Sequence, residues 1–354
     1  MRRQISRRSF VRGSAIAVAG IGLSGLIGCS GGTPEEAAPE SEEAAPEEST
    51  EAAPAAENVP IRLAGLKGPT SMGMMKMLED NEAGLTKNTY EFTMGATGDE
   101  LVPKILQGEL DILAVPSNLG AVLYNNSQGG VQMLAANMLG AIYILEKDGE
   151  TINSMEDLAG QTIYTVGKGS TPQFLLSYLL EQHGLILDQD VSVEWRDDPT
   201  EIVGLLGAGT ATICMLPQPF VTVAQTQVEN LRIALDMNAE WDALDNGSKL
   251  ITAGLIARSE FVEEHPQQVS DFLDELAAST DWTNANVEEA AALIEKYDIV
   301  PAPIAQQSLP YCNVVCITGE EMKTSTEAYF QVLFDQNPEA VGGAMPEDDF
   351  YYEP

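Results

Sequence analysis

Ile61-Arg62-Leu63-Ala64-Gly65-Leu66-Lys67-Gly68-Pro69-Thr70-Ser71 carries an apolar strand through a turn of small residues into a helix, and its reading decides the fold. A short apolar run closed by Gly and Pro reads as a strand, and the amphipathic Ser71 to Glu79 after it reads as a helix. The same order recurs down the chain. Asp111 to Val115, Gln161 to Val166 and Thr212 to Leu216 read as strands, followed by helices over Asn118 to Tyr124, Pro172 to His183 and Phe220 to Val228. Tyr90 to Met94 adds a further strand. Strands alternating with helices imply an α/β protein with mostly parallel sheets. Longer helices are expected after Ser259, Ser270, Asn286 and Thr318, the last with Glu321 at capping-box spacing. His265 before Pro266 reads as a helix stop and restart.

In such sheets ligands bind where loops leave the carboxyl ends of strands. Here those loops are rich in small residues: Gly65 to Ser71, Gly95-Ala96-Thr97-Gly98, Pro116-Ser117-Asn118 and Gly167-Lys168-Gly169-Ser170-Thr171. Free N–H groups at the helix starts, with Ser and Thr hydroxyls, suit carboxylate, sulfonate or phosphate oxygens. Lys67 and Lys168 fall in these loops, where a cation focuses an anion locally. Neither loop is a P-loop, because position 162 is Thr and Lys168 is followed by Gly169.

Charge divides the chain. Its 354 residues hold 18 Lys and Arg against 54 Asp and Glu, a net −36. So negative a chain is not expected to bind nucleic acid, whose phosphates need Lys and Arg. Arg2, Arg3, Arg7, Arg8 and Arg12 precede an apolar stretch from Ser14 to Gly28, too short for the roughly 20 residues of a membrane-spanning helix. This is a secretory-signal pattern. Ser6-Arg7-Arg8-Ser9-Phe10-Val11 resembles the twin-arginine export signal, and Leu26-Ile27-Gly28-Cys29 resembles the bacterial lipobox, which implies cleavage after residue 28 and lipid attachment at Cys29. Residues 29–58 are read as a tether: Thr33 to Glu57 holds nine Glu and no basic residue, with prolines that oppose helix.

Several ordered segments resemble the type II periplasmic-binding-protein fold. The resemblance is to the branch of ABC-transporter solute-binding proteins related to nitrate, sulfonate, taurine and thiamine-precursor binders. The residues that carry it are Lys67 to Met74, Asp111 to Asn118, Asp157 to Ile163, Gly167 to Pro172, Leu216 to Thr222, Pro310 to Asn313, and Gly342-Gly343 to Tyr352. Relatives often carry Pro-Glu-Pro where this chain has Pro217-Gln218-Pro219. The resemblance implies two lobes, residues 59–147 with 249–354 and residues 148–248, crossing near Ile142 to Lys147 and Lys249 to Ile256. It implies a monomer that closes on a small organic or anionic solute and presents it to an ABC permease. The ligand contacts expected are Lys67, Thr70, Ser71, Met72, Thr97, Ser117, Asn118, Lys168, Ser170, Thr171, Gln218 and Asn313.

Catalytic and metal chemistry has little footing in the sequence. His183 and His265 have no ligand-spaced partners and read as surface residues, so a Ser or Cys nucleophile lacks its usual base. Cys214 reads as core. Cys312 and Cys316, about 13 Å apart along an extended strand, read as free thiols. Tyr124, Tyr143, Phe220, Trp241 and Tyr311 read as packing rather than stacking platforms, and no cofactor or metal is expected. An enzyme of cofactor biosynthesis on the same fold and a ligand-sensing lipoprotein are the alternative readings.

Overall fold

The computed structural model describes residues 59–95 and 97–353, all within one unit spanning 56–354. The leader, Cys29 and the acidic tether lie outside the described residues. The chain first lays down β1 (Ile61–Leu66), β2 (Tyr90–Gly95), β3 (Ile112–Pro116) and β4 (Val131–Leu139). It then builds a second sheet from β5 (Ile142–Lys147), β6 (Thr162–Val166), β7 (Ser192–Arg196), β8 (Ile213–Pro217) and β9 (Leu231–Asp236). Finally β10 (Ile251–Arg258) and β11 (Val314–Ile317) return to the first sheet. The sheet orders are β11-β4-β10-β3-β1-β2 and β7-β6-β8-β5-β9.

Within each sheet most strands point one way. The exceptions in the first sheet are β10 and β11, and in the second β5. Both β5 and β10 are the first strands after the chain changes sheet, and each enters the middle of its new sheet against its neighbours. An antiparallel strand begins at the edge where parallel strands end, so Ile142 and Thr252 start beside the carboxyl ends of the others.

Helices cover both sheets: α1 (Pro69–Met72), α2 (Met75–Glu82), α3 (Gly98–Leu106) and α4 (Ser117–Ser127) follow the first strands. Next come α5 (Thr171–Gln182), α6 (Pro199–Gly207), α7 (Phe220–Gln227) and α8 (Met237–Asp242). The remainder are α9 (Ser259–Glu264), α10 (Pro266–Ala285), α11 (Val287–Lys296), α12 (Ala302–Ser308) and α13 (Gly319–Gln336). Caps explain several starts: Asp198 accepts from Thr200 N at 2.8 Å to begin α6, and Asp236 accepts from Asn238 N at 2.9 Å to begin α8. Pro266 restarts the chain as α10 after α9, as its restricted φ allows at a first helical position.

Three expectations need correction. The helix expected after Ser270 begins at Pro266, because Ser270 lies inside one continuous apolar stripe that includes Val269, Phe272, Leu273 and Leu276. Thr318 is the N-cap of α13 without a side-chain cap bond, and Gly319 follows it at φ 59°. Residues 142–147, placed by sequence with the first lobe, form β5 of the second sheet, held by ladders to β8 and β9. The apolar run from Val131 to Leu145 hides the change of sheet, which is marked only by Gly140 and Ala141 at φ 57° and 63°.

Candidate functional site

A cleft of about 480 Å³ opens where the two sheets face each other at their carboxyl edges. The first sheet contributes Pro69 at the start of α1, Pro116, Asn118 and Leu119 at the start of α4, Met138 at the end of β4, and Thr252. The second contributes Ile142, Ser170, Thr171 and Pro172 at the start of α5, and Pro217 and Gln218 at the end of β8. Gly140 and Ala141, the first crossing, form part of the wall between them. Among the described residues this lining holds amides, hydroxyls and apolar groups but no acidic or basic side chain and no Cys. The starts of α4 and α5, helices of 11 and 12 residues, both contribute to it, and a helix start carries partial positive charge.

Of the residues expected from sequence, Asn118, Ser170, Thr171 and Gln218 line this cleft together. Asn118 Nδ2 donates to Ala340 O at 3.2 Å, and Ser170 Oγ donates to Gly167 O at 2.8 Å. Thr171 sits beside the buried phenol of Tyr329, whose pKa burial raises. Gln218 is 3% exposed, and its Oε1 accepts from Thr222 N at 3.3 Å and from Thr222 Oγ1 at 3.0 Å.

The other expected residues are placed outside the lining. Ser71 Oγ donates to Leu66 O at 2.7 Å and holds the turn between β1 and α1, and Ser117 Oγ donates to Ile251 O and ties the start of α4 to β10. Thr70 offers its carbonyl to Asn137 Nδ2 at 2.7 Å. Met72 is fully buried in the core between the first sheet and α10, with Met74, Met75 and Met77. Thr97 is exposed at the start of α3. Lys67 pairs with Asp298 at 2.9 Å, and Lys168 is exposed on the loop before α5. Asn313, at φ 46°, accepts Leu139 N at 3.1 Å through its carbonyl.

Sequence reasoning set the crossings near residues 142–147 and 249–256 and counted none of their residues among the ligand contacts. Gly140 N donates to Leu250 O at 2.8 Å, and Thr252 Oγ1 donates to Gly140 O at 3.2 Å. The outward and return crossings therefore run side by side against the cleft. Gly140 between two apolar runs was the one available signal. The remaining chemistry is structural: His183 Nδ1 lies 2.9 Å from Glu156 Oε1 and lowers that carboxyl to about 2. His265 packs on Phe261. Cys214, Cys312 and Cys316 are free, with burial pushing the Cys312 thiol up to about 12 and the Cys316 thiol up to about 11.

Comparison with known proteins reaches the same architecture. Residues 130–290 match the family profile described as NMT1/THI5 like. A candidate binding protein of Brucella abortus (strain 2308) is 25% identical over 248 residues, covering 68% of this chain and 72% of that one. The chain superposes on an ABC transporter structure from Parabacteroides distasonis with a TM-score of 0.70 at 22% identity, covering 83% of this chain and 99% of the other. The type II periplasmic-binding-protein fold is the fold of this chain. On the periplasmic aliphatic sulphonate binding protein SsuA from Escherichia coli the TM-score is 0.66 at 17% identity, over 83% and 92% of the two chains. Gly140 and Ala141 of the first crossing border the cleft.

Proposed function

We propose that this protein is the solute-binding component of an ABC importer, closing on a small solute in the cleft and presenting it to a membrane permease. The observation that carries this reading is the cleft's position, at the carboxyl edges of two sheets between which the described chain crosses at residues 140–141 and 243–250. Two lobes follow: residues 59–140 with 251–353, and residues 141–250. Solute that touches Asn118 and Thr252 from one lobe and Ser170, Thr171 and Gln218 from the other gains contacts only when the lobes are closed. Differential contact of that kind drives closure. No bond need be made or broken, and the lining offers no side-chain general base.

The preferred solute is small and carries oxygen acceptors, such as a sulfonate, carboxylate or related compound. Support comes from helix N-termini and neutral donors in the wall, and from the sulphonate-binding protein of the same fold. Lys168 belongs to the approach to the cleft rather than its wall. Lipid attachment at Cys29, after export by the twin-arginine leader, places the protein on the outer face of the membrane as a monomer on an acidic tether. The sequence of the leader and lipobox supports that part.

A thermal-shift screen of sulfonates, nitrate, carboxylates and thiamine precursors tests solute capture, since a bound ligand raises stability by mass action. Deleting the chain should also abolish uptake of the solute found. Sustained turnover of that compound by purified protein, or normal uptake without the chain, would overturn the reading. Cys29→Ser should release the protein from the membrane fraction.

A further inference from the structure

We infer that Gln218 is held donor-first and requires the solute to place an oxygen lone pair against its Nε2, which makes this residue a determinant of specificity. The inference rests on the solute-capture reading above and sharpens it. Gln218 directly follows the central strand β8 of the second sheet, and its backbone N donates to Ala141 O at 2.9 Å, fixing it beside the first crossing. Its side-chain oxygen accepts from Thr222 N at 3.3 Å and Thr222 Oγ1 at 3.0 Å. Thr222 N can only donate, so the amide atom facing it must be the oxygen, and the flipped amide would set donor against donor. That orientation leaves Nε2 as the amide's other terminus, opposite the Thr222 contact. Among the described residues the buried Nε2 has no hydrogen-bond partner, although Gln218 lines the cleft.

A buried donor left unpaired is costly, and a ligand that pairs it recovers that cost on binding. The lining holds no carboxylate that competes for this donor. A carbonyl, carboxylate, sulfonate or nitro oxygen satisfies it, whereas an ammonium or N–H donor meets like polarity. Replacing the amide by a carboxylate inverts the demand. Glu at this position would keep one oxygen on Thr222 and present a second, negative oxygen where the amide presents N–H groups.

The test uses the mature protein and matched probes of one size: propanesulfonate, butyrate and propylammonium. Isothermal titration of the wild type should show binding of the sulfonate or the carboxylate and none of the ammonium. Gln218→Met, which removes the donor at similar volume, should weaken the oxygen-headed probe by about 10- to 100-fold, the range expected when one buried hydrogen bond is lost. Gln218→Glu should lose the same probe and gain affinity for propylammonium. Thr222→Val, which removes one of the two bonds that orient the amide, should weaken the oxygen-headed probe by a few-fold and keeps the test open if the Glu variant does not fold. Wild-type protein that binds propylammonium as well as the others, or Gln218→Met that binds propanesulfonate unchanged, overturns the donor-first assignment while leaving solute capture intact. Wild type that binds no oxygen-headed compound here or in the wider screen overturns both.

Discussion

Gly140 donates its backbone N–H to the carbonyl of Leu250 at 2.8 Å, so the outward and return passages between the sheets are tied to each other at the cleft wall. Gly140 holds φ 57°, and a Cβ built on it would lie 2.5 Å from Asn238 Cβ. Gly140→Ala should therefore cost about 1–3 kcal/mol of stability, the usual range for a non-glycine residue forced into a left-handed conformation. Urea denaturation of the two proteins measures this. An unchanged midpoint would mean that the crossing relaxes freely.

Tyr143 on β5 makes a second tie between the sheets. Its hydroxyl donates to Tyr311 O at 2.7 Å, and the two rings meet edge-on with centroids 6.1 Å apart. Burial, followed by the negative charge of Asp236, raises the pKa of the Tyr143 phenol, so it remains a donor throughout the physiological range. Tyr143→Phe keeps the ring and removes the bond, at about 1 kcal/mol. If the bond belongs to the closed state, solute affinity should fall by about fivefold, as a smaller closed population predicts. Titration calorimetry of the variant decides it, and unchanged affinity would assign the bond to stability alone.

Asp111 sits under two guanidiniums. Its carboxylate accepts from Arg62 Nε at 2.8 Å, Arg62 N at 2.9 Å and Arg258 Nη2 at 3.0 Å, and its side chain is 4% exposed. Burial opposes the charge, but the hydrogen bonds from Arg62 and Arg258 outweigh it and hold the carboxyl below its usual value. Since the folded-state pKa is depressed, the stabilisation is present above the unfolded-state value near 4 and is lost as pH falls through the folded-state value. Asp111→Asn should destabilise by about 3–5 kcal/mol at neutral pH, the cost of unpairing buried charges. The deficit should shrink in melting curves as pH falls below about 4 towards the depressed folded-state value, where the wild type finally loses the same charge.

Lys168 stands exposed on the loop before α5, next to Ser170 in the cleft lining. In a body with 13 basic and 45 acidic residues, a single well-placed cation offsets local repulsion of an anion without touching it when bound. Lys168→Ala should slow association of an anionic solute by a few-fold at low salt, with dissociation unchanged and the difference gone at high salt. Stopped-flow binding at two ionic strengths separates these. A faster dissociation rate would instead put Lys168 in contact with the solute. Lys67→Ala should do less, because Asp298 already neutralises that charge.

Much of the fold was legible because strand and helix periods are local properties. Ile112 to Val115 is buried on both faces and reads as a central strand from its uniform apolar character alone. The placement of Asn118, Ser170, Thr171 and Gln218 at the cleft edge was legible because parallel strands deliver their following loops to one edge. Where Lys67 and Met72 point was not legible: they share those loops, but one side chain turns to Asp298 and the other into the core, and side-chain direction is not encoded by loop membership.

The amino-acid order by itself determined the α/β class and the loops that form the cleft edge, since each depends on composition or on contacts a few residues apart. Tertiary structure alone decided that β5 and β10 enter their sheets antiparallel, that Gly140 and Leu250 meet, and that Gln218 turns its oxygen to Thr222. Those outcomes depend on competition among partners distant in the chain, and no local pattern records which partner wins.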